Sequence, residues 1–182
     1  MIPDSRRPSA ISPARRVIGG NVLVAGLVSF FTDISSEMIV PVLPLFLTVT
    51  LRAPVAAVGL IEGVAESTAS ILRVFAGWLS DRAGRRKPLV VAGYALSNLT
   101  KPLLAVAGSW PHVLAVRFVD RFGKGVRGAP RDALIADSVG PEHRGLAFGF
   151  HRAMDTAGAA LGPLLAFAVL ALLPENYRAV FW

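Results

Sequence analysis

The chain contains no cysteine. Disulfides and thiolate-held metals are thereby excluded. Charge is scarce too: 17% of the 182 residues are Asp, Glu, Lys or Arg, where a soluble domain carries about a quarter. Acids are scarcer than bases, 12 against 19, leaving a formal net charge of +7. Zinc-ligand spacing, a phosphate-cradling glycine loop and a nucleophile–base triad are all missing from the sequence. We therefore expect no enzyme, no metal and no cofactor. No repeat of about 20–50 residues is visible.

What abounds is apolar. Hydrophobic residues make up 53% of the chain, with a mean hydropathy of +0.56. They are gathered into long runs, which points to a bilayer rather than a soluble core. A hydrocarbon layer of ~30 Å takes about 20 helical residues. Segments near 18–48, 54–79, 88–107, 111–139 and 146–173 qualify, and a sixth begins at Tyr177. The expected fold is all-α and polytopic, with about five spans plus the start of another. The connections are short, so sequential helices run antiparallel. Residues 1–17 hold Pro, Ser and four Arg and read as a disordered cytoplasmic tail. The first apolar run is too long for a cleaved signal peptide and reads as a retained span.

The cations set the orientation. With the N-terminus inside, the inner sections hold Arg6, Arg7, Arg15, Arg16, Arg82, Arg85, Arg86, Lys87 and Arg144, and the outer ones only Arg52 and Arg178. The positive-inside rule then places the N-terminus and the 81–87 loop in the cytoplasm. It also accounts for much of the basic surplus without a nucleic-acid partner, although a soluble, nucleic-acid-binding helical bundle is an alternative that membrane partitioning would test.

Several charges lie inside the apolar runs. An ionisable residue at the bilayer centre costs ~2.5–3.5 kcal/mol even on the gentlest scale, so these must face one another or an aqueous cavity. Advancing about 100° per residue from Arg117 puts Asp120, Arg121, Lys124, Arg127, Arg131 and Asp132 within an arc of about 140°. Arg121 sits about 15 Å beyond Pro111, near the midplane. Asp33 and Glu37, and likewise Glu62 and Glu66, are spaced i, i+4 and share a helix face. Such carboxylate pairs suit a proton carrier; a static ion pair with the cations of the fourth segment is the alternative. His151 and Asp155 share the same spacing, as a proton relay or a structural bond. Snorkelling to headgroups is the plain alternative for Lys101 and Arg131.

Three motifs carry a family resemblance. Residues 77–87 read G-x-x-x-D-R-x-G-R-R-K, with Gly77, Asp81, Arg82, Gly84 and Arg85 at fixed spacing. Residues 117–125, R-F-V-D-R-F-G-K-G, are followed by Pro130, Asp137 and Arg144-Gly145. Gly149, Gly158, Gly162 and Pro163 follow in the fifth segment, with Ala166 and Phe167 after them. Together these resemble the helix 2–3 loop, the fourth-helix motif and the fifth-helix antiporter motif of the major facilitator superfamily (MFS) of secondary transporters. Residues 32–38, with Pro41 and Pro44, resemble an uncharacterised bacterial subgroup.

The resemblance implies that residues 18–182 are an incomplete N-terminal half of a fold with two six-helix halves. The chain is then a fragment or truncated reading frame, and its partners are the lipid bilayer, protons, a small-molecule substrate and the missing C-terminal half. The implied function is proton-coupled, alternating-access transport across the bacterial inner membrane, most simply as an antiporter or efflux carrier. Arg121, where the family usually has glycine, leans the substrate towards a polar or anionic solute. An MFS-like sensor that binds without transport is the alternative. The implied substrate and proton cavity comprises Asp33, Glu37, Glu62, Glu66, Arg117, Asp120, Arg121 and Lys124. The implied latch comprises Gly77, Asp81, Arg82, Gly84, Arg85 and Asp137, with Arg85 joining Asp81 to Asp137 and Gly77 admitting a helix of the other half. Arg86 and Lys87 read as orientation charges.

Overall fold

A computed structural model of the chain describes residues 18–182; the tail assigned to 1–17 lies outside them. Every element among the described residues is helical. Helix α1 is Gly20–Leu45, continued as a π-helical turn over Phe46–Thr50. Helix α2 is Val55–Ala83 and α3 is Arg86–Thr100, extended by a 3-10 turn over Lys101–Leu104. Helix α4 is Trp110–Asp137 and α5 is Arg144–Leu172. Tyr177–Phe181 forms a further 3-10 turn.

The stretches Gly20–Thr50, Val55–Arg82 and Pro141–Leu172 are long and apolar enough to cross a membrane. The other two depart from that standard for different reasons. Helix α3 and its 3-10 turn reach about 30 Å together, which is just a membrane's thickness. Helix α4 reaches about 42 Å but contains eight Asp, Lys or Arg residues. The packing buries Arg117, Asp120, Arg121 and Arg127, half-buries Lys124 and Arg131, and leaves Asp132 and Asp137 exposed.

Helix α4 lies between α2 and α3, and α1 lies along α5. Sequential neighbours are antiparallel, yet α3 and α4 are the one sequential pair of these helices that packs extensively. The close pairs α1–α5 and α2–α4 run parallel, as their contacts show: Gly26 meets Phe150 and Met154 while Gly162 meets Ile34 and Glu37. Short loops thus fix direction but not partners.

Glycine makes the tight pairs possible. A Cβ on Gly158 would fall 2.6 Å from the Phe30 carbonyl oxygen, and one on Gly125 would fall 2.8 Å from that of Ala69. Gly84 has a different task. At φ 61° it caps α2 in the left-handed conformation, and its N–H returns to Ser80 O at 3.0 Å. An L-residue pays a steric penalty there that glycine avoids.

Most of the buried apolar side chains fall into two groups at opposite ends. Fifteen residues, including Leu43, Phe46, Leu47, Ile61, Leu104, Val113 and Phe181, form the larger, away from the 81–87 loop. Val22, Ala25, Ile135 and Ala147 form the smaller, at the loop end. Between them the interior is polar.

Candidate functional site

At the loop end, the αL turn at Gly84 makes Arg85 the N-cap of α3 and starts that helix at Arg86. The placement corrects one expectation: the cation that reaches both acids is Arg86, not Arg85. Its guanidinium lies 3.5 Å from Asp81 Oδ1, closes directly on Asp137 Oδ2, and donates to the Ala133 carbonyl at 3.3 Å. Arg85 and Lys87 are exposed, and Arg82 lies over the Trp78 ring at 5.6 Å. Asp81 and Asp137 are 71% and 59% exposed, so each pair is screened and worth about 0.2–1 kcal/mol. Gly77 faces Ala129 of α4, whose Cβ would lie 3.2 Å from a Cβ built on Gly77.

At mid-depth a cavity of about 370 Å³ opens between α1, α2, α4 and α5. Its carboxylates are Asp33 and Glu37 of α1 and Asp155 of α5; its cations are Arg73, Lys124, Arg127, Arg131 and Arg152. Five cations face three carboxylates. Arg127 is 3% exposed and stacks on the Tyr94 ring at 4.2 Å. One of its guanidinium nitrogens has no partner.

Of the residues expected at a cavity, Asp33, Glu37 and Lys124 line this one; Glu62, Glu66, Arg117, Asp120 and Arg121 do not. The reason is the position of α4, wedged between two helices. Arg117, 1% exposed, turns to α2 and donates to both Glu62 oxygens, at 2.8 and 3.1 Å. Asp120 turns to α3, where it accepts from Ser97 and sits 3.5 Å from Arg117. Glu66 is exposed, on the same face of α2 as the cavity residue Arg73 two turns on. Arg121 is 6% exposed, and among the described residues no acid lies within 4.0 Å of it. The pairing expected with Asp33, Glu37, Glu62 or Glu66 is therefore not made.

Lys101 does not snorkel. It is buried and donates to Thr32 O, Ser35 Oγ and Asn98 Oδ1 at 3.1, 2.8 and 3.1 Å, tying α3 to α1. Arg131 donates twice to the neighbouring Asp132 and once to Ser29, and lies 3.9 Å from Asp155. Asp155 also faces His151. Ser29 bonds both His151 and Tyr94. Sequence reasoning passed over Ser29 and Tyr94, because a lone hydroxyl in an apolar run carries no periodic signal. Ser29 does stand one turn before Asp33, on the same face of α1, and that spacing could have found it.

In the helix 5 motif, Gly158 and Gly162 press on the α1 backbone, whereas Gly149 has no neighbour within 4 Å of a built Cβ. Pro163 lies inside α5 and leaves the carbonyl of Ala159 without its helical donor. Ala159 lines the cavity.

Parallel, glycine-packed apolar helices around a charged cavity mark a polytopic, all-helical membrane protein. The Major Facilitator Superfamily profile matches residues 25–182, and the chain belongs to that family. An uncharacterized MFS-type transporter of Methanocaldococcus jannaschii is 39% identical over 165 residues, covering 91% of this chain and 41% of that protein. A protein named as a probable 4-methylmuconolactone transporter of Cupriavidus pinatubonensis is 36% identical over 126 residues, 66% of this chain and 29% of its own length. The multidrug resistance protein MdtH of Cronobacter sakazakii is 34% identical over 109 residues, 59% and 27% respectively. The chain thus spans well under half the length of these relatives. The residues that match are the membrane helices of a multi-pass protein.

Proposed function

We propose that this chain forms part of a secondary transporter that carries a small polar or anionic solute by alternating access, coupled to protons. The observation that carries this reading is the open cavity lined by four helices, with five cations against three carboxylates. Surplus cations at membrane depth are costly unless an anion or a polar solute answers them. The names of the relatives, one a lactone transporter and one a multidrug resistance protein, support transport and leave both uptake and efflux open. The N-terminus and the 81–87 loop face the cytoplasm of the inner membrane in this reading, which the arginine and lysine asymmetry supports.

The test is flux into proteoliposomes made with the full-length protein. 4-Methylmuconolactone, succinate and inorganic phosphate are the anionic probes, and ethidium is the cationic contrast. Flux of an anionic probe that collapses with a protonophore supports the reading. Saturable binding without flux would make the protein a sensor, and ethidium flux alone would overturn the anionic assignment.

Two expectations belong to this reading. Among the described residues no acid lies within 4.0 Å of the buried Arg121 guanidinium, so Arg121→Met should relieve up to about 2 kcal/mol of burial cost. We expect the melting temperature to rise by roughly 4–8 °C while probe flux is lost. A variant that is less stable, or that transports normally, would make Arg121 a structural charge. At the latch, Arg86→Gln should shift the inward–outward equilibrium about fivefold, from roughly 1 kcal/mol of lost ion pairing. Asp81→Asn should do the same with equilibrium probe binding unchanged, and Arg85→Gln should do little. Alkylation of a single cysteine introduced into this cysteine-free chain at the cavity rim measures all three.

A further inference from the structure

Four helices meet at one hydroxyl. Ser29 Oγ of α1 lies 2.6 Å from Tyr94 Oη of α3 and 3.0 Å from His151 Nε2 of α5. Arg131 of α4 donates to the same oxygen at 3.3 Å. Ser29, Tyr94 and His151 are all buried. A hydroxyl has one hydrogen and two lone pairs. With one lone pair taken by Arg131, Ser29 must donate to one of its other neighbours and accept from the other.

The far side of the imidazole decides which. His151 Nδ1 lies 3.5 Å from Asp155 Oδ2. A bare Nδ1 there would set a lone pair against a carboxylate, so the neutral ring carries its hydrogen on Nδ1. Nε2 then accepts from Ser29, and Ser29 accepts from Tyr94. Adding a proton to Nε2 reverses the chain: His151 donates to Ser29, and Ser29 donates to Tyr94. In the neutral state every hydrogen of the chain has an acceptor; in the protonated state the Tyr94 O–H is displaced from Ser29 and turns away, so the two states differ by one proton and by the direction of that hydroxyl. Asp155 Oδ1 is buried without a partner in the state described. The charges facing the ring are mixed: Arg131 and Asp132 on α4, Arg152 and Asp155 on α5, with Asp33 of α1 across the cavity.

We propose that His151 is a proton-binding site, and that Ser29 and Tyr94 transmit its charge state from the cavity wall to the face between α1 and α3. The coupling role of this site rests on the transport reading above; proton binding itself does not. Tyr94 lines a separate groove between α1 and α3, with Asn21, Lys87 and Asn98. A proton taken up beside the cavity thereby reorients a hydroxyl at the contact between two helices.

This chain has three histidines, His112, His143 and His151, and in the full-length protein the His151 ring signals are identified as those that disappear in His151→Gln. The full-length protein, labelled with ¹⁵N-histidine and ¹³C-tyrosine in lipid nanodiscs, is titrated from about pH 9 to 5, the range in which imidazole changes charge. We expect the Nδ1–H tautomer at the alkaline end, conversion to the doubly protonated ring, and a Tyr94 ring-carbon shift with the same midpoint. Ser29→Ala should uncouple the two signals, and Ser29→Thr, which keeps the hydroxyl, should preserve the coupling if the alanine variant fails to fold. A His151 ring that keeps one form throughout overturns the proposal, as does a Tyr94 signal indifferent to the transition. No substrate is needed. A protein whose flux ignores the proton gradient while His151 titrates as described would overturn the transport coupling and leave the site standing.

Discussion

Gly158→Leu should unseat α5 from α1. A built Cβ already falls 2.6 Å from the Phe30 carbonyl and 3.2 Å from Asp33 Cβ, and neither the helix backbone nor the cavity wall can yield cheaply. Overpacking of this kind costs about 3 kcal/mol, or roughly 6–12 °C in melting temperature. Because Asp33 lines the cavity, binding of any anionic probe should fall as well. Gly149→Ala is the control on the same helix. It meets open space and should change stability by no more than about 1 kcal/mol, in the stabilising direction. Thermal unfolding in detergent compares the two; equal effects would remove the close-packing explanation of the motif.

Arg117→Ala should be nearly as damaging, for an electrostatic reason. It leaves Asp120, 4% exposed, with no cation in place, and strands Glu62, which is 45% exposed. Removing one member of a buried pair costs about 3–5 kcal/mol. Most of that cost arises at Asp120, since water screens Glu62. Arg117→Met combined with Asp120→Asn should therefore recover at least about 1 kcal/mol relative to the sum of the single changes. Strict additivity would show that the two groups do not interact. Transport, measured on the same proteins, separates a structural ion pair from a mobile one. A stable double variant with full flux assigns Arg117 to the scaffold.

The helices were legible because membrane thickness and hydropathy impose length: each of the five observed α-helices overlaps a segment expected from the sequence. The ionic stripe of α4 was legible by periodicity, but its division was not. Arg117 and Asp120 are spent on α2 and α3, and among the described residues Arg121 pairs with no acid within 4.0 Å. Helical phase tells which residues share a face; it does not tell which helix stands opposite. The parallel pairings α1–α5 and α2–α4 are long-range facts that no loop length encodes. At the latch the error was one residue, Arg85 for Arg86, because the left-handed cap at Gly84 rotates the start of α3 in a way that spacing alone does not reveal. Ser29 and Tyr94 were missed because their meaning lies in a meeting point of four helices.

The uneven division of apolar packing gives the molecule the mechanics of tongs. Fifteen buried apolar residues join all five helices at the end remote from the 81–87 loop, and four join α1, α4 and α5 at the loop end. The blades, α1 with α5 and α2 with α3 and α4, are held together between those ends by hydrogen bonds from Lys101, Ser29 and Arg131. Water or a proton can replace such bonds; it cannot replace the contacts around Phe46 and Leu47. The fulcrum therefore lies at the thick apolar end, and any parting of the blades is widest at the end of the 81–87 loop, where the four-residue apolar group and the Asn21–Ser138 hydrogen bond must let go.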